Sequence, residues 1–141
     1  MDAMSGLTDE DLELLRRPLY GFLSTADGPL PPQPRPVWFE ITESGEVQLF
    51  SAPDSPRVRR LRGDPRASLV VAAPVGERER WVAVAGSATV AEDGADAVLK
   101  RLAARYWNLD DPARAADLAE MSTQQWVRIV IRPETVHRYA M

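Results

Sequence analysis

Two long apolar runs, Arg66–Ala73 (RASLVVAA) and Arg80–Ala91 (RWVAVAGSATVA), are separated by only the loop Pro74–Glu79. A link that short closes a hairpin, whereas a parallel crossover needs about a dozen residues or more. Antiparallel pairing is therefore the expectation. The first run is almost continuously apolar and reads as a strand buried on both faces. The second carries Gly86, which marks a bulge or a close backbone approach.

The same spacing extends along the chain. Leu19–Thr25 reads as a strand closed by Asp27-Gly28, an Asp-Gly hairpin signal. Pro29, Pro31 and Pro32 make that connection longer and stiffer. Gln33–Thr42 reads as a second strand, irregular or at an edge where Pro34 and Pro36 cannot donate. Glu46–Ser51 is a third, and Gln124–Ile131 and Thr135–Tyr139 close the chain as two more. Helical patterns fall at Thr8–Arg17 with a Thr8/Asp11 capping box, at Asp54–Arg62, at Asp93–Asn108 and at Asp111–Met121. In the third of these Val98, Leu99, Leu102, Ala103 and Tyr106 recur at helical spacing. Tyr106 and Trp107 end it and are expected to pack on the barrel or on a partner. Six or seven mostly sequential strands with helices inserted give a mainly β (α+β) fold, a small antiparallel barrel with peripheral helices.

A chain of 141 residues fits one domain, residues 1–141. Its net charge of −4 argues against nucleic acid and anionic membrane as partners. The absence of cysteine excludes disulfides, thiolate catalysis and Cys-ligated zinc, and His137 is the only histidine. No apolar signal region opens the chain and no run is long enough to span a bilayer, so a cytoplasmic location is expected. Lys100 is the only lysine among 17 basic residues. That bias is a coding preference, so not every arginine carries function.

One stretch concentrates the basic charge. After the apolar strand Val47–Phe50 come the turn Ser51-Ala52-Pro53-Asp54, then Ser55-Pro56, then Arg57, Arg59, Arg60 and Arg62. Ser55 suits an N-cap and Pro56 the first helical position. A helix N-terminus offers free N–H groups and partial positive charge, an anion site. The ordinary reading of such a helix is a solvated face paired with acids elsewhere. The anion-site reading points to the phosphate of a cofactor.

The segments PRPVWF (34–39), GEVQLFS (45–51), SPRVRRLRGDPRASLVV (55–71) and WVAVAGSATV (81–90) resemble, in order and spacing, the pyridoxamine 5′-phosphate oxidase-like FMN-binding split-barrel superfamily, and within it the flavin/deazaflavin oxidoreductases. The resemblance implies a split β-barrel and a homodimer with two cofactor sites at the subunit interface. It implies a cofactor ring along Pro34, Arg35, Pro36, Val37 and Trp38, and a phosphate on the loop and helix start formed by Phe50, Ser51, Ser55, Pro56, Arg57, Arg59 and Arg60. Arg57 stands where the family commonly has Lys, and Arg60 where it often has Asn. Trp81 would line the partner side of the pocket.

The implied cofactor is coenzyme F420 in first place, because its acidic tail suits the additional arginines, with Arg78 and Arg80 as further candidates. FMN comes second. The implied activity is hydride transfer to or from a small conjugated substrate, with no catalytic residue and no metal assigned. The alternative is a non-catalytic binder of a flavin, a deazaflavin or haem. Pyridoxamine-phosphate oxidation itself would need basic residues for a second phosphate, and only Arg132 and Arg138 are available near the end of the chain.

Overall fold

The computed structural model describes residues 6–141. Seven strands, β1 (Gly21–Thr25), β2 (Arg35–Val37), β3 (Glu40–Ile41), β4 (Val47–Ser51), β5 (Arg66–Ala72), β6 (Arg80–Ala91) and β7 (Val127–Ala140), form one sheet in the order β2-β1-β5-β6-β7-β4-β3. Every pairing is antiparallel.

This order forces the shape. β2 and β3 are the two edges, yet only Trp38 and Phe39 separate them in sequence. Laid flat, six inter-strand spacings would hold the edges roughly 29 Å apart. Three residue steps reach at most about 11 Å. The sheet therefore curls into a barrel that stays split along the β2/β3 line. The single second strand expected over Gln33–Thr42 is broken here: its two halves serve opposite edges, and Trp38-Phe39 is the crossing. Phe39 is fully buried in the core.

The inside of the curl holds Leu23, Val47, Leu49, Leu69, Val71, Val82, Val84, Ile129 and Ile131. Helix α1 (Asp9–Leu15) adds Leu14 and Leu15, and α2 (Pro56–Gly63) adds Val58 and Leu61. Helix α3 (Ala95–Tyr106) buries Val98, Leu99, Leu102 and Ala103 against the barrel, whereas α4 (Pro112–Met121) buries no side chain. At the split, the Tyr106 hydroxyl donates to the Leu19 carbonyl (2.7 Å) and accepts from the Phe39 N–H (3.2 Å). It satisfies backbone groups that lie outside the strand ladders.

Two sequence expectations need correction. β5 is not buried on both faces: Ala67, Leu69 and Val71 point inward while Val70 and Ala72 are exposed. The two strands expected at the end of the chain are one strand, β7, paired with β6 along its whole length. The register shifts at Ala85/Gly86, the irregularity that Gly86 marks. A β-carbon there would lie 1.8 Å from the Arg132 carbonyl oxygen, so only glycine lets the strands approach.

The capping box at α1 forms as expected. The Asp11 N–H donates to the Thr8 hydroxyl at 3.1 Å, and the Thr8 N–H donates to the Asp11 carboxylate at 2.9 Å. That carboxylate is buried and also receives Arg138 of β7 at 2.7 Å. Burial alone would raise its pKa; hydrogen bonds from Arg138 and Thr8 outweigh burial and hold it below the usual value. A depressed carboxyl pKa stabilises the fold above the unfolded-state value near 4 and loses that contribution as pH falls through the folded value. Asp11→Asn is therefore expected to cost about 1–3 kcal/mol at pH 7, a gap that narrows below pH ~4 in denaturant titrations.

Candidate cofactor site

The basic helix builds a cap as its sequence predicts. The Ser55 hydroxyl accepts from the Val58 N–H (3.2 Å), and Pro56 occupies the first turn. Ser51, buried at the end of β4, places its hydroxyl 2.9 Å from that of Ser55. Val58 and Leu61 are buried beneath the helix, which leaves the arginines on its other faces.

Two clefts meet at this helix. One, of about 230 Å³, is lined by Leu23, Thr25, Gln33, Arg35, Ser55, Pro56, Arg57 and Arg60. The other, of about 430 Å³, is lined by Pro36, Val37, Trp38, Leu49, Phe50, Arg57, Trp107, Met121 and Trp126. Arg57 lines both. The first is cationic, and no carboxylate among the described residues lines it. The second is aromatic, and among the described residues Arg57 is its only charged lining residue.

Arg35, Arg57 and Arg60 stand in no ion pair among the described residues. Other arginines are answered: Arg66 by Asp64, Arg101 by Glu40, Arg128 by Asp93, Arg132 by Glu46 and Arg138 by Asp11. Burial first, and then the neighbouring Arg35, lower the pKa of the Arg57 guanidinium; it remains charged at neutral pH. A half-buried cation facing a like charge with no counter-ion is unfavourable for folding alone. An anion placed there would relieve that repulsion.

The structure distributes the residues named from the sequence as follows. Arg35, Ser55, Pro56, Arg57 and Arg60 come together in the cationic cleft, and Pro36, Val37, Trp38 and Phe50 in the aromatic one. Ser51 lies behind Ser55, and Arg59 turns back to the Asp54 carbonyl. Pro34 precedes β2, is exposed and lines neither cleft. Trp81 lies apart, on the outer face of β6, stacked on Tyr139 with ring centroids 6.3 Å apart. Arg78 and Arg80 are engaged elsewhere, by the Met141 carbonyl and by Glu13.

Sequence reading missed Gln33, Thr25, Trp107, Met121 and Trp126. The last three come from the end of α3 and the end and exit of α4, far along the chain from the arginines. Their signal in the sequence is a pair of tryptophans bracketing a helix that has little else to bury.

No group of three or more His, Asp or Glu side chains able to hold a metal ion occurs among the described residues. None of the described helices is long and apolar enough to cross a membrane.

A curled antiparallel sheet split between its edge strands, with helices outside, defines a split β-barrel. The sequence model of the pyridoxamine 5′-phosphate oxidase family matches residues 7–138, and the chain belongs to that family. Among solved structures it is similar to an F420 reductase (TM-score 0.73, 26% identity, covering 93% of this chain and 98% of that one). It shares its fold with an FAD-binding protein from Mesorhizobium loti (TM-score 0.63, 21% identity, 94% of each chain). It also shares it with a haem binding protein from Mycobacterium smegmatis (TM-score 0.65, 24% identity, 99% of this chain and 54% of that one). No curated protein matches the chain.

Proposed function

We propose that the joined clefts hold one cofactor of the flavin or deazaflavin class and that the protein is an oxidoreductase acting on a small conjugated substrate. The observation that carries this reading is the cationic cleft without a counter-ion opening into an aromatic cleft, with Arg57 shared between them. A molecule that joins a phosphate to a planar ring system fits that pairing. Arg57, Arg60, Arg35 and the capped start of α2 would hold the phosphate, and the Pro36–Trp38 segment would hold the ring. When bound, such a cofactor supplies the hydride chemistry. The residues here bind and orient it and keep the ring in apolar surroundings.

F420 stands first and FMN second. Beyond the three arginines lining the cleft, α2 carries exposed Arg59 and Arg62, which suit an acidic tail. The likeness to an F420 reductase supports the same order. Neither cleft is lined by a histidine or a carboxylate, so the geometry would equally serve a protein that binds its cofactor without turnover. Titration of the purified protein with F420 and FMN, followed by the ligand's own fluorescence, is expected to saturate at micromolar concentration or below. Failure of both to bind would overturn the reading.

The outer sheet face supports a homodimer. Phe22, Val70, Trp81 and Tyr139 are exposed there beside Ala72, an apolar surface of the kind that covers itself with a partner. Thr25 lines the cationic cleft and also a shallow depression on that face with Ser24, Ser68 and Ala85. A second copy seated on the face would therefore lie at the rim of the site, where Trp81 belongs if it lines the partner side. A 15.7 kDa monomer in sedimentation at micromolar concentration would count against the dimer.

A further inference from the structure

Trp38, Trp107 and Trp126, three of the chain's four tryptophans, converge on the aromatic cleft. Each is held by neighbours. Trp38 stacks on Tyr106 with centroids 5.2 Å apart and planes 3° from parallel. Trp107 meets Trp38 edge-on at 4.8 Å, and the Arg114 guanidinium lies over it at 4.6 Å. Trp126 packs edge-on to Phe50 at 5.1 Å, and its indole N–H donates to the Met121 carbonyl at 2.8 Å. The indoles are therefore fixed before any ligand arrives, which lowers the entropic cost of binding.

The segment that brings Trp107, Met121 and Trp126 to the cleft is the one around α4. That helix buries none of its own side chains. Its Arg114 guanidinium lies over Trp107 and its Met121 carbonyl accepts the Trp126 indole N–H, so its contacts include the residues that line the cleft. The 430 Å³ volume is that of a small-molecule site.

Charge narrows the class of ligand. Among the described residues no carboxylate lines the cleft and Arg57 is its only charged lining residue. A cation would gain contact with indole faces, but it would meet Arg57, with Arg35 beyond, and no acid to pair with. In the cofactor-free protein an anionic substituent would find Arg57, the residue shared with the cationic cleft.

We propose that Trp107, Met121 and Trp126 form the substrate side of the aromatic cleft, and that it takes a planar conjugated molecule that is neutral or carries an anionic group toward Arg57 and rejects cationic amines. The assignment rests on the proposed cofactor reading for calling the ligand a substrate; its binding test does not.

The test uses the cofactor-free full chain labelled with ¹⁵N and three probes that share a naphthalene ring and carry a substituent of different charge: 1-naphthoate, 1-naphthylmethanol and 1-naphthylmethylammonium. The indole N–H signals report each tryptophan, and Trp81, on the outer sheet face, serves as the internal control. The naphthoate and the alcohol are expected to shift the Trp107 and Trp126 signals and leave Trp81 still. The ammonium is expected to bind about tenfold more weakly or worse, a difference of about 1.4 kcal/mol. Arg57→Gln is expected to remove the advantage of naphthoate over the alcohol while alcohol binding stays within about twofold. Trp126→Leu, or Trp107→Leu should the first variant not fold, is expected to weaken naphthoate and alcohol alike.

Equal affinity for the three probes, or shifts confined to Trp81, would overturn the proposal. If FMN binds while no naphthalene moves Trp107 or Trp126, the substrate side fails and the cofactor reading stands. If the naphthalenes bind as described while FMN and F420 do not, the cofactor reading fails and the aromatic site stands.

Discussion

Arg57→Ala is expected to weaken binding of FMN or F420 by about 1.5–3 kcal/mol, roughly 10- to 150-fold, as for a lost charge-assisted hydrogen bond in a half-buried site. Folding stability is expected to stay within about 0.5 kcal/mol of the parent. The second half of that statement gives the test its force. Arg57 makes no ion pair among the described residues and is repelled by like-signed Arg35, so removing it relieves repulsion and breaks no ion pair. Arg57→Lys keeps the charge but loses the planar two-pronged donor set and should fall between the two. Fluorescence titration with denaturant unfolding alongside separates binding from folding. A variant that binds like the parent would remove Arg57 from the site, and one that loses stability and binding together would make it a structural residue.

Gly86→Ala is expected to destabilise by more than ~4 kcal/mol, or to prevent folding outright. The new β-carbon would lie 1.8 Å from the Arg132 carbonyl oxygen and 2.8 Å from its carbon, with the Glu134 nitrogen at 3.1 Å. All three are backbone atoms of β7, so no rotamer change relieves the overlap. The longest ladder of the barrel would have to separate at its bulge, which puts the change among the exceptional single substitutions. Gly76 is the control. Its φ of +103° disfavours a side chain, but nothing lies within 4 Å of its β-carbon position, so Gly76→Ala should cost only ~1 kcal/mol of backbone strain. Thermal melts of the two variants followed by circular dichroism check the contrast. Comparable melting points would show that β6 and β7 separate easily at Gly86.

Much of this architecture was legible in short-range patterns. Hairpin-length links gave antiparallel pairing, Ser55-Pro56 gave the capped start of α2, Thr8/Asp11 gave the capping box, and Gly86 gave the bulge. The break at Trp38-Phe39 was not legible. Local propensity sees one extended run there, and only the requirement that β2 and β3 occupy opposite edges of one curled sheet cuts it in two. The continuity of β7 was hidden for a similar reason: Arg132-Pro133-Glu134 looks like a turn, but Pro133 sits opposite the bulge at Gly86, where an irregular ladder accepts it.

The site divided along the same line. Arg57 and Arg60 announced themselves by density of charge within one helix. Which arginines lack partners could not be read in advance, because Arg101, Arg132 and Arg138 are answered by acids that only the fold brings near. Trp107, at the end of α3, and Trp126, after α4, flank a short alanine-rich helix, and that bracketing is the only trace the cleft leaves in the sequence there. Val70 read as core because an apolar sheet face exposed in one chain has the same composition as one buried within it.

The central claim is that this helix start and its arginines were assembled to receive a phosphate joined to a planar ring. Calorimetric titration of the parent protein with FMN and with riboflavin, which carries the same ring without the phosphate, tests it most directly. FMN is expected to bind at micromolar concentration or below and riboflavin at least about tenfold more weakly, a difference that vanishes in Arg57→Ala. Equal affinity for the two, or a difference that persists undiminished in Arg57→Ala, would contradict it.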